Sequence, residues 1–235
     1  MVVYPFKDFA GSSHRILARL VPAHSRPGGR LLDLGAFGGE LGAMIRHHFD
    51  TTFAFEYQLA NLGSLRGHYD HVVMTDLERI PAVPGGMDAI VLADVLEHMR
   101  DPAALLRTAV TALTEDGRIF VSIPNVANLA IRLMLLTGRF EYDDRGILDR
   151  THLRFYTRAS ARRLLEEAGL RIVLEEASTI PVRFALASLP RSVLGPLEAA
   201  LIGLTRLRPT LLGYQSIFVA ERRPAGGSGE NEPLP

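Results

Sequence analysis

The stretch Arg30 to Gly42, RLLDLGAFGGELG, ends a short apolar run in a carboxylate, Asp33, and then crowds Gly35, Gly38, Gly39 and Gly42 into the turn that follows. A strand, a glycine turn and a helix start in that order hold a nucleoside cofactor in open α/β sheets. The carboxylate narrows the kind of cofactor. It attracts the sulfonium and ammonium of S-adenosylmethionine (SAM), which has no phosphate, and would repel the pyrophosphate of a dinucleotide. Phe37 agrees, because it stands where a dinucleotide fingerprint has its second glycine, the one that lets backbone approach phosphate. The plainer reading is a tight strand-to-helix turn with no ligand. Glu56 and Asp76, at the ends of the next two strands, weigh against it.

A second concentration of chemistry is Asp149-Arg150-Thr151-His152-Leu153-Arg154-Phe155-Tyr156. Methyl transfer from SAM is an in-line displacement, so a protein mainly aligns nucleophile and sulfonium in a dry site. An alcohol acceptor must also lose its proton, and a neutral imidazole such as His152, oriented by Asp149, is the natural base near neutral pH. Arg154 and Tyr156 are candidate substrate contacts. The structural alternative is that His152 ties the loop to the sheet and Arg154 pairs with a helix carboxylate. His47, His48, His68 and His71 have no partner set that reads as a metal site, and none is expected.

Alternating strand and helix signals position these residues. Ser12 and Ser13 cap a first helix through Val21, and Arg26-Pro27-Gly28-Gly29 turns into strand one, Arg30 to Leu34. A helix follows from Glu40 to about His48. Thr52 to Glu56, Val72 to Met74 and Ala89 to Leu92 read as buried strands, and Pro102 to Leu113 as a helix. Asp116-Gly117 reads as a turn before strand five, Arg118 to Ile123, which Pro124-Asn125 ends. A helix at Ala159 to Ala168 precedes strand candidates at Arg171 to Glu175 and Gln215 to Glu221. Repeated strand-helix units imply a parallel sheet with helices on both faces.

Composition sets the bounds. At 235 residues and 47% hydrophobic content the chain can bury a full core, as one domain with an elaboration. Lys plus Arg and Asp plus Glu are both 26, so net charge points to no nucleic-acid surface. The absence of cysteine excludes disulfides and thiolate chemistry and fits a reducing compartment. The N-terminus lacks the basic start and apolar stretch of a signal peptide, and the expected location is cytoplasmic.

From about Arg30 to Arg222 the chain resembles the class I SAM-dependent methyltransferases. The resemblance implies a Rossmann-like seven-stranded mixed sheet, mostly parallel with an antiparallel C-terminal strand. It also implies a SAM pocket made by Asp33, Gly35, Ala36, Phe37, Gly39, Glu56, Asp76, Leu77, Ala93 and Asp94. In such enzymes the carboxylate at the position of Glu56 holds both ribose hydroxyls, each bond contributing about 1.5–3 kcal/mol if shielded. That of Asp76 accepts from the adenine amino group, while Ala93 and Asp94, in MDAIVLADVLEHMRDP, face the methionine part. His98 supports the cofactor loop or lines the substrate entrance, and Asn125, in GRIFVSIPNVANL, lies at the end of strand five near the substrate. GILDRTHLRFYTRASARRLLEEAGL is similar to a block in a bacterial subgroup that often accompanies glycosyltransferases and cell-surface or natural-product pathways. Phe37 departs from the small residue usual in the family, and its ring would lie near the cofactor's tail or ribose.

These readings give one SAM-binding domain over residues 1–222, with a disordered tail at 223–235. An apolar helical insertion spans 180–212. It carries Glu198 and is too short to cross a bilayer. Three uses are open to it: a cover for the active site, a homodimer contact, or a peripheral membrane surface with Arg183, Arg191, Arg206 and Arg208 on anionic headgroups. AIRLMLLTGRF reads as a substrate-pocket helix whose apolar walls suit a lipid, polyketide or aromatic portion. The expected activity is O-methylation of a sugar or other hydroxylated small molecule. The alternatives are a scaffold partner of a glycosyltransferase that has lost turnover, and a nucleotide-dependent oxidoreductase.

Overall fold

In the computed structural model, residues 9–79, 82–182 and 190–224 are described. Seven strands form one sheet: β1 (Arg30–Leu34), β2 (Thr51–Glu56), β3 (His71–Met74), β4 (Met87–Ala93), β5 (Leu113–Pro124), β6 (Leu170–Ala177) and β7 (Gln215–Arg222). Their order is β3-β2-β1-β4-β5-β7-β6. The first five are mutually parallel, and β7 runs antiparallel to both β5 and β6.

The helices are α1 (Ser13–His24), α2 (Glu40–Ile45), α3 (Leu62–Leu65), α4 (Pro102–Ala112), α5 (Leu129–Leu136), α6 (Arg158–Glu167), α7 (Arg191–Leu207) and α8 (Pro209–Leu212). Their starts carry local signals. Ser12 Oγ accepts from the Arg15 amide at 3.3 Å, Asp101 caps α4 with Pro102 in its first turn, and Thr157 and Ser160 form a reciprocal capping box on α6.

The side-chain period of 2 divides the central strands between two cores. Leu32, Leu34, Ile90, Leu92, Ile119, Val121 and Phe218 face one side, where Leu105 and Leu106 of α4 and Ala161 and Leu165 of α6 cover them. Leu31, Ala89, Val91, Phe120, Ile217 and Val219 face the other, under Ile16, Leu17 and Leu20 of α1 and Leu41 and Ile45 of α2. Strands covered on both faces read as continuous apolar runs, which is why they stand out in the sequence.

β1 pairs with β2 on one side and β4 on the other, so the chain winds outward in opposite directions from this point. The loops after β1 and β4 diverge and open a crevice at the carboxyl ends of the strands. The candidate site residues collect there.

Two expectations need correction. Asp116-Gly117 lies within β5, not before it: Leu113 pairs with Met87 and Arg118 with Ala89, so the intervening residues bulge out of a ladder that starts earlier. α5 has no buried residue and its residues do not line the central cavity, so it is not the pocket helix that its apolar composition suggests. The expected helical insertion is present as α7, which packs beside β6 and buries Leu194 and Thr205, and α8, which packs against α7. Arg183 lies outside the described residues, as do residues 1–8 and residues 225–235 of the expected tail. No helix among the described residues is long and apolar enough to cross a membrane.

Candidate active site

A cavity of about 930 Å³ occupies the crevice, near the top of the range of about 300–1,000 Å³ usual for small-molecule sites. One end is built by the glycine turn. Gly35 adopts φ +82°, and a Cβ there would sit 2.7 Å from Val95 Cγ2, so only glycine fits. The Gly35 and Ala36 amides both donate to the Phe55 carbonyl, at 2.8 and 3.2 Å, which fastens the turn to β2. Gly39, at φ +85°, caps α2. Phe37 adopts φ +47°, a conformation that strains a residue with a side chain, and its amide donates to Glu56 Oε2 at 2.9 Å.

Glu56 therefore braces the turn from the end of β2. Its second oxygen accepts from the Gln58 amide at 2.8 Å and, more weakly, from Asn61 Nδ2 at 3.4 Å. Each carboxylate oxygen has two lone pairs, so Glu56 keeps acceptor capacity toward the cavity that it lines. Asp33 is 2% exposed and accepts from the Tyr69 hydroxyl at 2.5 Å. Burial, opposed by that hydrogen bond and reinforced by Glu56, raises its pKa to about 7. Asp76 and Leu77 follow β3 on the cavity wall, where Asp76 Oδ1 accepts from the Glu78 amide at 3.0 Å.

Asp94 follows β4 at φ +55°. Its carboxylate accepts from Ser122 Oγ at 2.7 Å and from Gln215 Nε2, tying the loop after β4 to β5 and β7. Ala93 and Asp94 line the cavity with Tyr214, whose hydroxyl is pushed up to about 12 by burial and by the acids Asp94, Asp143 and Asp149.

The opposite wall comes from the 3-10 turn Leu96–His98 and the segment 144–152. The Glu97 carbonyl accepts from the Leu153 and Arg154 amides at 2.9 and 3.1 Å, which clasps the two segments together. Asp149 Oδ1 accepts from the Thr151 amide and hydroxyl at 2.8 and 2.6 Å, and Thr151 Oγ1 lies 3.2 Å from His98 Nδ1. His152 Nδ1 lies 3.0 Å from the Ile147 carbonyl, and His98 Nδ1 3.2 Å from that of Thr151. A carbonyl only accepts, so each ring presents Nδ1–H to it, and in the neutral form of the ring Nε2 is the acceptor. The orienting partner of the His152 ring is thus the Ile147 carbonyl, whereas Asp149 holds Thr151. The two rings meet edge to face at 4.8 Å, and burial followed by the His152 charge lowers the pKa of His98.

Beside them lies Glu97, 1% exposed, with neither carboxyl oxygen hydrogen-bonded among the described residues. Burial and then Asp94 raise its pKa well above the usual carboxylate value. Glu97, His98 and His152 each offer a ligand atom, all within 4.8 Å of one another, so this trio has the donor set to take a divalent cation.

Of the candidates read from the sequence, Asp33, Gly35, Ala36, Phe37, Glu56, Asp76, Leu77, Ala93, Asp94, His98, Asp149 and His152 line one cavity. Gly39, at the start of α2, does not line it, and three others are spent elsewhere. Asn125 Nδ2 donates to the Thr210 and Gly213 carbonyls at 3.0 Å each. Arg154 donates to the Met99 and Arg100 carbonyls, and Tyr156 packs against the core beneath α4 and α6 while pairing by backbone with Asn125. Their side chains do not line the cavity. His14, Tyr69, Glu97, Tyr214 and Gln215 belong to the site and were not singled out from the sequence.

The residues fit SAM on three observations of this structure: a glycine cradle that a Cβ would fill, a braced Glu56 with lone pairs to spare, and buried acids facing a cavity of sufficient size. The methyltransferase-domain family matches residues 9–175. The chain is 30% identical over 152 residues to a ubiquinone biosynthesis O-methyltransferase of Aeromonas salmonicida (strain A449), covering 61% of this chain and 63% of that protein, less than two thirds of its length. It is 31% identical over 169 residues to the protein of the same name from Burkholderia pseudomallei (strain 1710b), covering 65% and 69%. A SAM-dependent methyltransferase from Archaeoglobus fulgidus shares the fold, with a TM-score of 0.60 at 18% identity over 89% of this chain and 92% of that one.

Proposed function

From the premise that this chain belongs to the class I SAM-dependent methyltransferases, with SAM as its cofactor, we propose that it methylates a hydroxyl oxygen of a small organic acceptor. One observation carries the reading: a single cavity holds the Asp33–Glu56 end suited to a cationic nucleoside and, across it, a histidine pair with acceptor nitrogens suited to an alcohol. SAM supplies the activated methyl group when bound. Glu56 is the acceptor for the ribose hydroxyls, Asp76 for the adenine amino group, and Asp33 draws the ammonium. His152 Nε2 takes the acceptor's proton while its Nδ1–H stays on the Ile147 carbonyl, which fixes the ring through the transfer. Asp149 acts through Thr151, keeping His98 and the 149–152 turn in place. Hydroxylated sugars and acceptors of ubiquinone biosynthesis are the two classes to screen, the second because of the relatives' names.

A second reading of the proton transfer is favoured by the unpartnered Glu97 carboxyl. A divalent cation on Glu97, His98 and His152 would lower the acceptor's pKa by direct coordination, with His152 a ligand and not a base.

The test begins with calorimetric titration of SAM and of S-adenosylhomocysteine, followed by a screen for acceptors that gain the mass of one methyl. His152→Ala should keep SAM affinity and lower turnover by roughly 10²-fold, within the range for a general base. Turnover lost to a chelator and restored by one divalent metal selects the cation. Undiminished turnover in His152→Ala sinks both.

A further inference from the structure

Asp33 alone does not account for the cofactor's amino-acid end, because a carboxylate 2% exposed needs something to keep it charged and aimed. That something comes from outside the glycine turn. Tyr69 precedes β3, is 3% exposed, and reaches across the sheet edge to place its hydroxyl 2.5 Å from Asp33 Oδ2. Its ring and oxygen lie against Gly42 in the first turn of α2. The ring packs so closely on Gly42 that a Cβ there would overlap it, so the glycine at 42 is required by the tyrosine. The result is a Tyr69 hydroxyl wedged against Gly42 by its ring and donating to Asp33. One carboxylate oxygen is consumed, and the other is left for the cavity.

We infer that Tyr69 is a positioning residue for SAM, fixing the ionised Asp33 toward the cofactor's ammonium and setting the pH below which that attraction is lost. The inference rests on the SAM reading of the cavity. The Tyr69 hydroxyl stays protonated, since burial and then the Asp33 charge raise its pKa well above 10.0, so it is a permanent donor. Asp33, at about 7, is held there by opposing influences: burial and Glu56 on β2 push it up, and Tyr69 pulls it down. The other charged groups on this end are Glu40 of α2, which acts on Tyr69, and His14 at the start of α1, which lines the same cavity. Removing the donor leaves only the influences that neutralise Asp33.

The experiment is the affinity for SAM, by calorimetry from pH 6 to 8.5, of the wild-type protein, Tyr69→Phe and Gly42→Ala. Both variants disturb the same hydroxyl, the first by deletion and the second by displacing the ring, so one stands in if the other fails to fold. The cofactor's own amino titration is common to all three, so the ratio to wild type is the readout. Expected is a loss of roughly five- to tenfold in affinity at pH 7 that narrows toward pH 8.5, where Asp33 ionises in every protein. Curves that superimpose on wild type, or a loss equal at every pH, overturn the role of Tyr69 while leaving the SAM reading standing. Absence of saturable SAM binding by the wild-type protein at any pH overturns both.

Discussion

Glu56→Ala removes a group with two duties, and the structure separates them. Toward the protein, Glu56 accepts from the Phe37 and Gln58 amides at 2.9 and 2.8 Å and holds Phe37 in its strained φ of +47°. The two amides are part-buried, so losing their acceptor costs about 1 kcal/mol, the low end for an unpartnered donor, and the apo variant should melt a few degrees lower. Toward the cofactor, two charge-assisted bonds to the ribose at about 1.5–3 kcal/mol each give about 3–6 kcal/mol, or 10² to 10⁴ in affinity. The cleft admits water, which argues for the lower end. Glu56→Gln keeps one acceptor oxygen and sets a donor against a donor, so it should fall between. Calorimetry reads the affinity and differential scanning fluorimetry the stability. A folded Glu56→Ala protein that binds SAM within threefold of wild type would refute the ribose assignment, whatever its melting temperature.

Gly35→Ala should abolish SAM binding and lower stability by more than 1–2 kcal/mol, the order of the left-handed backbone cost alone, because the added Cβ also meets Val95 Cγ2 at 2.7 Å; trimming Val95→Ala should restore part of the stability, and no gain in melting temperature would count against the clash. Thr157→Ala should cost about 1 kcal/mol through loss of the capping box on α6, measured by urea unfolding, without changing SAM affinity. Glu97 has a raised folded-state pKa, so the folded protein keeps a proton that the unfolded chain releases above about 4.5. Stability therefore falls as pH rises above that value, and the isosteric Glu97→Gln escapes the fall. Its melting temperature relative to wild type, in chelator, should climb from pH 5 to pH 8, and a difference constant with pH would refute the buried neutral acid.

The sheet was legible because its centre is buried on both faces, which turns strands such as Met87–Ala93 into apolar runs that any periodicity reading finds. The glycine turn was legible for a different reason: backbone geometry at Gly35 and Gly39 admits few residues, so function is written in local sequence. Tyr69 and Gln215 were not legible, because each reaches its carboxylate across a separation, 36 residues to Asp33 and 121 to Asp94, that no local pattern encodes. Asn125 and Arg154 misled in the opposite way. Their polar ends look available in a motif, and the fold uses them on carbonyls of the loops they join. Glu97 sits one position from the singled-out His98, and its burial comes from the 153–154 amides folding onto its carbonyl, an event invisible in LEHM.

The same burial explains why the site is acidic where the rest of the chain balances its charges. Arg and Lys equal Asp and Glu in number, and the ion pairs among the described residues lie along the surface and the β5–β7–β6 edge. Asp33, Glu56, Asp94 and Glu97 take no part in them. Each is held by neutral donors or by none, and Glu56 raises the proton affinity of Asp33 as Asp94 does that of Glu97. A fold selected for stability alone would pair or expose such groups, since their repulsion in a shielded crevice works against the compact state. Asp33, Glu56 and Asp94 share the carboxyl ends of β1, β2 and β4, where a cation entering the crevice would meet carboxylates that no arginine neutralises and would favour the ionised form of Asp33.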